Sequence, residues 1–236
     1  MKKSDNRRVA RAWLVHFYTA LGVPVALLAT VSIVNEDAFS AALWIALAMV
    51  IDGTDGTFAR KWEVKKYTPN FDGRKLDDIT DFLTYTFVPV FFMHQFELPG
   101  GYWRFALFAI LVASAYGFCN VAAKTSDGFF TGFPSYWNAV AIYLFWLDLA
   151  DWQSGLILLV LAALTFAPIK FMSFNETRQF RVIDRAFFAL WVVIFVLLFR
   201  EFDDPRPSLL YGSLFYPAFY FLASFYLHWR TGGKSA

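Results

Sequence analysis

Four aspartates, one arginine and three small residues lie in the order D-x2-D-G-x2-A-R-x12-G-x3-D-x3-D: Asp52, Asp55, Gly56, Ala59, Arg60, Gly73, Asp77 and Asp81. Asp52, Asp55 and Ala59 are spaced by three and four, so on one helix they share a face, and Gly56 beside them permits close backbone approach. Asp77 and Asp81 are spaced by four and share a face of the next helix. Converging carboxylates repel one another unless cations occupy the space between them, and an all-oxygen ligand set suits Mg²⁺ or Mn²⁺. Two such ions would bridge phosphate oxygens, while a carboxylate at the edge takes a proton from an attacking hydroxyl. The pattern therefore points to phosphoryl-type transfer. A lone aspartate at a helix end is ordinarily a solvated cap; four at these spacings, with small residues and a guanidinium between them, make a site.

The elements that must position these residues are read from the rest of the chain. Its 236 residues are 58% hydrophobic, 21% aromatic and only 17% charged, a balance that no water-soluble fold could hide. The single Cys119 excludes a disulfide framework and a cysteine metal site, and His16, His94 and His228 form no pair at ligand spacing. Any metal must be held by oxygen. Eight apolar segments are of roughly membrane-spanning length: Trp13 to Val34, Phe39 to Phe58, Leu76 to Phe96, Trp103 to Ala123, Phe133 to Leu149, Gly155 to Met172, Ala186 to Phe199 and Ser208 to Trp229. The expected fold is an all-α polytopic membrane protein of about eight helices, a single domain over residues 1–236 with no internal repeat.

Placing the amino terminus in the cytosol puts all of the 21 Lys and Arg inside except Arg104, Arg200 and Arg206, and eight spans return the carboxyl terminus to the same side. The basic segment 1–12 then meets anionic headgroups, and the first apolar run reads as an uncleaved helix because no small-residue cleavage site ends it. With the second helix starting near Phe39, Asp52 falls about 20 Å along it, toward the inner end of the span. Asp77 and Asp81 begin the third span on that inner side, so the site opens to cytosol and to inner-leaflet lipid. A cation-coupled transporter would instead bind near the midplane, at broken helices related by repeats.

The stretches DGTDGTFAR and GRKLDDITD resemble the CDP-alcohol phosphotransferases, membrane enzymes that join a CDP-linked donor to an alcohol and release CMP. Eight motif positions match in order. The twelve residues between Arg60 and Gly73 exceed the eight of the common family pattern, and this longer loop, with KTSDGFFTGFPSYWN at Lys124 to Asn138 and LTFAPIKF at Leu164 to Phe171, resembles the bacterial branch that uses choline. The resemblance implies condensation of CDP-diacylglycerol with choline to phosphatidylcholine and CMP, a requirement for Mn²⁺ or Mg²⁺, a homodimer, and a place in the bacterial inner membrane. Alternative acceptors within the family are serine, inositol phosphate and glycerol 3-phosphate; no nucleic acid is implied. Carried over by position, Asp52, Asp55 and Asp77 are metal ligands, and Asp81 completes the second metal site and acts as general base. Gly56, Ala59 and Gly73 line the nucleotide, and Arg60 contacts it or its phosphates.

A quaternary ammonium cannot donate hydrogen bonds and is held by aromatic faces. Tyr85, Tyr116, Tyr136 and Trp137 fall near expected cytosolic helix ends, and Tyr136 and Trp137 lie in the GFPSYWN stretch, which makes those two the candidate acceptor contacts. Interfacial aromatics gather at such ends for any membrane protein. Arg178, Arg181 and Arg185 share a helical face and would reach donor phosphates or anionic lipid. The 29 phenylalanines have no account at this level beyond apolar filling.

Overall fold

A computed structural model describes residues 3–123, 125, 128–173, 177 and 179–231. The chain divides into two compact units: Met1–Phe96 with Trp137–Ala141, and Glu97–Tyr136 with Ile142–Ala236.

The first unit is helical. Helices α1 (Lys3–Ala20) and α2 (Gly22–Val34) follow one another almost without interruption, and α3 (Ala38–Lys61) returns beside α2. The reversal is encoded locally: Glu36 adopts a left-handed conformation (φ 58°), and the Asp37 side chain accepts the Ser40 N–H at 2.9 Å to cap α3. Buried Ala26 and Ala29 on α2 meet a helix that buries Ala41, Ala42 and Ala48, the small-residue packing that lets membrane helices approach closely. A short helix α4 (Val64–Tyr67) lies in the x12 loop, and α5 (Gly73–Asp81) is capped by Asp72, which accepts the Lys75 N–H at 3.0 Å. From α5 the chain stays helical through a π turn (Phe82–Phe87) into α6 (Val88–Gln95). Pro89 has no N–H to give the Tyr85 carbonyl and its ring crowds that group, so the helix widens just before it.

The second unit holds α7 (Phe105–Cys119), antiparallel strands β1 (Phe129–Thr131) and β2 (Lys170–Met172), α9 (Asp151–Phe166), α10 (Arg181–Arg200), α11 (Pro207–Ser213) and α12 (Phe215–Arg230); α8 (Trp137–Leu147) belongs to the first unit up to Ala141 and to the second thereafter. The strands pair Phe129 with Met172 and Thr131 with Lys170, a small sheet that periodicity did not announce. Gly132 (φ +87°) follows β1, where a Cβ would stand 2.3 Å from the Thr165 carbonyl oxygen, so the close approach demands glycine. Aromatic packing accounts for much of the phenylalanine. Trp146 is surrounded by Tyr143, Phe195, Phe199 and Phe202, and Phe171 by Phe133, Tyr220, Phe221 and Phe225, with centroids 5.2–6.2 Å apart.

Among the described residues, Asp5–Val34, Ala38–Lys61, Gly101–Cys119, Arg181–Arg200 and Pro207–Arg230 are long and apolar enough to cross a membrane. Leu14, Phe17, Leu27, Phe108, Val112 and Val193 point outward from these spans, as lipid-facing side chains do. The expected runs at Phe133 to Leu149 and Gly155 to Met172 are shorter as helices, Trp137–Leu147 and Asp151–Phe166. Pro134 delays the first and left-handed Asp148 ends it; Pro168 forces the extended backbone that stops the second at Ala167.

Candidate metal and substrate site

Asp52 and Asp55 project from one face of α3 and Asp77 from α5, with one carboxylate oxygen of each lying within 4.8 Å of the others. Asp55 is buried and the other two half-buried. Three anionic groups this close fit a hard divalent cation in donor type and number, with room left for water or phosphate oxygens. Asp81, the fourth expected ligand, falls outside that tight triad. It stands beside Asp52, with Asp77 and Asp55 as its further charged neighbours.

Two side chains orient the triad. Thr19, near the end of α1, donates to Asp55 Oδ2 at 2.6 Å, and Tyr85, on the π turn, donates to Asp52 Oδ2 at 2.6 Å. Each short charge-assisted bond occupies one oxygen and fixes the carboxylate plane, as outer-shell partners of metal ligands do. The motif does not contain Thr19, and the only sequence signal for it is a polar pair, Tyr18 and Thr19, inside an apolar run. Tyr18 is used as well: its hydroxyl meets Thr54 Oγ1 at 2.8 Å. Tyr85 was a candidate aromatic contact for a cation, and here its hydroxyl serves Asp52.

The small motif residues divide by what surrounds them. A Cβ at Gly56 would meet only Arg60 Nη1, at 3.5 Å, so Gly56 presents open backbone on the helix face that carries the aspartates. Arg60 is exposed and donates weakly to Thr57 Oγ1 at 3.4 Å. Half-buried Ala59 packs on the cluster of Ala12, Val15 and Val64. Gly73 faces His16, whose Cε1 would lie 2.6 Å from an added Cβ.

His16 also holds the x12 loop. Its Nε2 is 2.9 Å from Thr68 Oγ1, Trp13 and His16 pack on Phe71, and Arg8 donates to the Tyr67 hydroxyl at 2.8 Å. Buried Val64 joins Ala12 and Val15. The extended loop is thus bound along α1, and α5 starts from a fixed point.

In the second unit Tyr136 is half-buried, edge-on to Tyr220 at 5.7 Å and to Phe133 at 6.3 Å. Trp137, assigned to the first unit, is fully buried. Tyr116 packs on Phe166 at 4.8 Å. Asn120 Oδ1 accepts the Ala122 N–H at 3.0 Å beyond the end of α7, a local turn contact. Lys170 is buried with Nζ 5.6 Å from the Phe129 ring centroid. Arg181 and Arg185 lie on the first turns of α10; Arg178 and Lys124 lie outside the described residues.

Residues 12–168 match the sequence profile of the CDP-alcohol phosphatidyltransferase family. The chain is 42% identical over 214 residues to a phosphatidylcholine synthase of Pseudomonas aeruginosa, covering 90% of each protein. It is 36% identical over 232 residues to that of Borreliella burgdorferi, covering 97% of this chain and 99% of the relative. With the phosphatidylcholine synthase of Rhizobium meliloti it shares 34% over 211 residues, 87% of this chain and 88% of the relative.

Proposed function

The chain belongs to the CDP-alcohol phosphatidyltransferase family, and on that premise we propose that it transfers the phosphatidyl group of CDP-diacylglycerol to choline, yielding phosphatidylcholine and CMP. The observation that carries this reading is the Asp52, Asp55 and Asp77 triad, oriented by Thr19 and Tyr85, in a chain whose near-full-length relatives bear the name phosphatidylcholine synthase. Asp52, Asp55 and Asp77 would hold a divalent cation, Mn²⁺ or Mg²⁺, and with Asp81 a second, which would supply positive charge to offset that of the donor pyrophosphate.

The protein's own groups do the rest. A choline hydroxyl is a weak nucleophile because its proton leaves only as attack proceeds, so a carboxylate base must be at hand. Asp81, beside the triad and not within it, takes that proton. The choline oxygen forms a bond to the phosphatidyl phosphorus, the bond from that phosphorus to the bridging oxygen breaks, and CMP departs with the electron pair. Open backbone at Gly56 receives the cytidine moiety, and Arg60 balances phosphate charge.

Eight spans with both termini in the cytosol, a site opening to the cytosolic face of a bacterial inner membrane and a homodimeric assembly complete the reading. The positive-inside asymmetry supports that orientation. Serine, inositol phosphate and glycerol 3-phosphate all carry anionic groups and call for a basic acceptor pocket.

The test is CMP release by purified protein with CDP-diacylglycerol and Mn²⁺, the four acceptors competing. Choline is the expected substrate, and preference for an anionic acceptor refutes the assignment. Asp81→Asn is expected to lower kcat by about 100-fold or more with little change in either KM, the scale of a lost general base. Near wild-type turnover in that variant at saturating metal removes Asp81 from the chemistry.

A further inference from the structure

One face of α1 meets both helices that carry the triad. Ala12, Val15, His16 and Thr19 recur at helical spacing and are all buried. Thr19 donates to Asp55 on α3 at 2.6 Å. One turn earlier, the His16 ring lies against Gly73 at the first residue of α5, where an added Cβ would stand 2.6 Å from Cε1 and 3.1 Å from Nδ1. Asp77 follows on α5 about 6 Å beyond Gly73. These contacts all fall within the first unit.

His16 is itself held in place. Thr68 has one hydroxyl proton and donates it to the Val64 carbonyl at 2.9 Å, so its oxygen accepts from His16 Nε2, also at 2.9 Å. Phe71 packs on the same ring with centroids 4.4 Å apart. The ring cannot turn away from Gly73 without leaving a buried donor unpaired. The distance between α1 and α5 then bears on what the triad can hold. Two oxygens on one Mg²⁺ stand no farther apart than twice the bond length, about 4.2 Å, whereas on one Ca²⁺ the limit is about 5 Å. The three candidate oxygens lie within 4.8 Å of one another, a bound between those limits. A displacement of α5 by less than about 1 Å therefore decides which ion the three can close upon.

We propose that His16 is a positioning residue for Asp77: with Thr19 it spaces α5 from α3 and makes the triad discriminate against larger divalent ions, Ca²⁺ above all. The proposal rests on the triad being a metal centre and adds the residue that sets its aperture. The opposing account is structural: His16 only ties the x12 loop to α1, and its loss lowers stability while leaving the choice of ion unchanged.

The full-length protein in detergent, freed of metal, is titrated with Mn²⁺ by the electron paramagnetic resonance signal of the free ion, and Ca²⁺ is then added to displace what is bound. The ratio of the two affinities is the readout, with thermal midpoints recorded alongside. Wild type should favour Mn²⁺. His16→Ala is expected to lower the ratio by about tenfold, within the range by which outer-shell residues change metal affinity. His16→Gln keeps an N–H for Thr68 and should keep most of the ratio. An unchanged ratio in monodisperse His16→Ala overturns the proposal, however far the thermal midpoint falls. If that variant aggregates, an unchanged ratio in Thr68→Val, which takes away the acceptor for Nε2, does so. Wild type that binds no Mn²⁺ refutes the metal centre and the proposal with it. Mn²⁺ binding that Asp55→Asn abolishes, at a ratio indifferent to His16 and Thr68, leaves the centre standing and refutes the role of His16 alone.

Discussion

Tyr85→Phe removes one oxygen from the molecule and isolates the orienting role of the π turn. The Tyr85 hydroxyl donates to Asp52 Oδ2 at 2.6 Å, a short bond to an ionised acceptor. Bonds of that kind contribute about 1.5–3 kcal/mol, which corresponds to about 10- to 150-fold in an equilibrium constant. The phenyl ring remains, so packing around the half-buried side chain is preserved and the loss falls on the carboxylate. Outer-shell partners of metal ligands typically change metal affinity by about 10- to 100-fold, the same range reached independently. The assay is a Mn²⁺ titration read twice, by phosphatidylcholine synthesis and by loss of the free Mn²⁺ electron paramagnetic resonance signal. The midpoint is expected to move up by at least tenfold in both, with kcat largely restored at saturating metal. Thr19→Val should do the same through Asp55, where the bond is equally short. Because both act on ligands of one centre, the double variant is expected to depart from additivity. Unchanged midpoints in both single variants would show that the two hydroxyls do not orient metal ligands, and the argument from the triad's geometry would fail.

Two glycines of the motif should behave oppositely. Gly73→Ala places a Cβ 2.6 Å from the His16 ring, an overpacking expected to destabilise by about 1–3 kcal/mol and to lower the thermal midpoint in detergent. The double variant with His16→Ala should recover part of that loss, and no recovery would mean that the ring is not the obstacle. At Gly56 an added Cβ meets only the end of a flexible arginine, so in Gly56→Val thermal stability should hold while the KM for CDP-diacylglycerol rises by about tenfold or more, the effect of steric exclusion from a substrate face. A folded Gly56→Val with unaltered donor KM would place the nucleotide elsewhere.

The site was legible where its logic is local. The successive spacings of three and four along Asp52, Asp55 and Ala59 put them on one helix face, and caps at Asp37 and Asp72 fix where the two carrier helices begin. What α1 contributes was not legible, because Thr19 and His16 reach Asp55 and Thr68 across 36 and 52 residues and no periodicity records such partners. Helix ends near Pro134 and Pro168 were overrun by hydropathy, which averages over a window and does not notice a missing N–H. The strands were hidden for a related reason. Three residues are too few for alternation to register, and their pairing joins Phe129 to Met172, far apart along the chain. Gly73 shows the converse: its position in the motif was evident, but the steric reason for it lies in a histidine more than fifty residues earlier.

The candidate ligands Asp52, Asp55 and Asp77 and their two hydroxyl partners all lie between Thr19 and Tyr85. Synthesis runs from the amino terminus, so the nascent chain holds every one of these groups before the first residue of the second unit is added. Only Trp137–Ala141 arrives later to complete the first unit. On the proposed metal reading, a half-made polypeptide already carries all three candidate ligands and both hydroxyls that hold them.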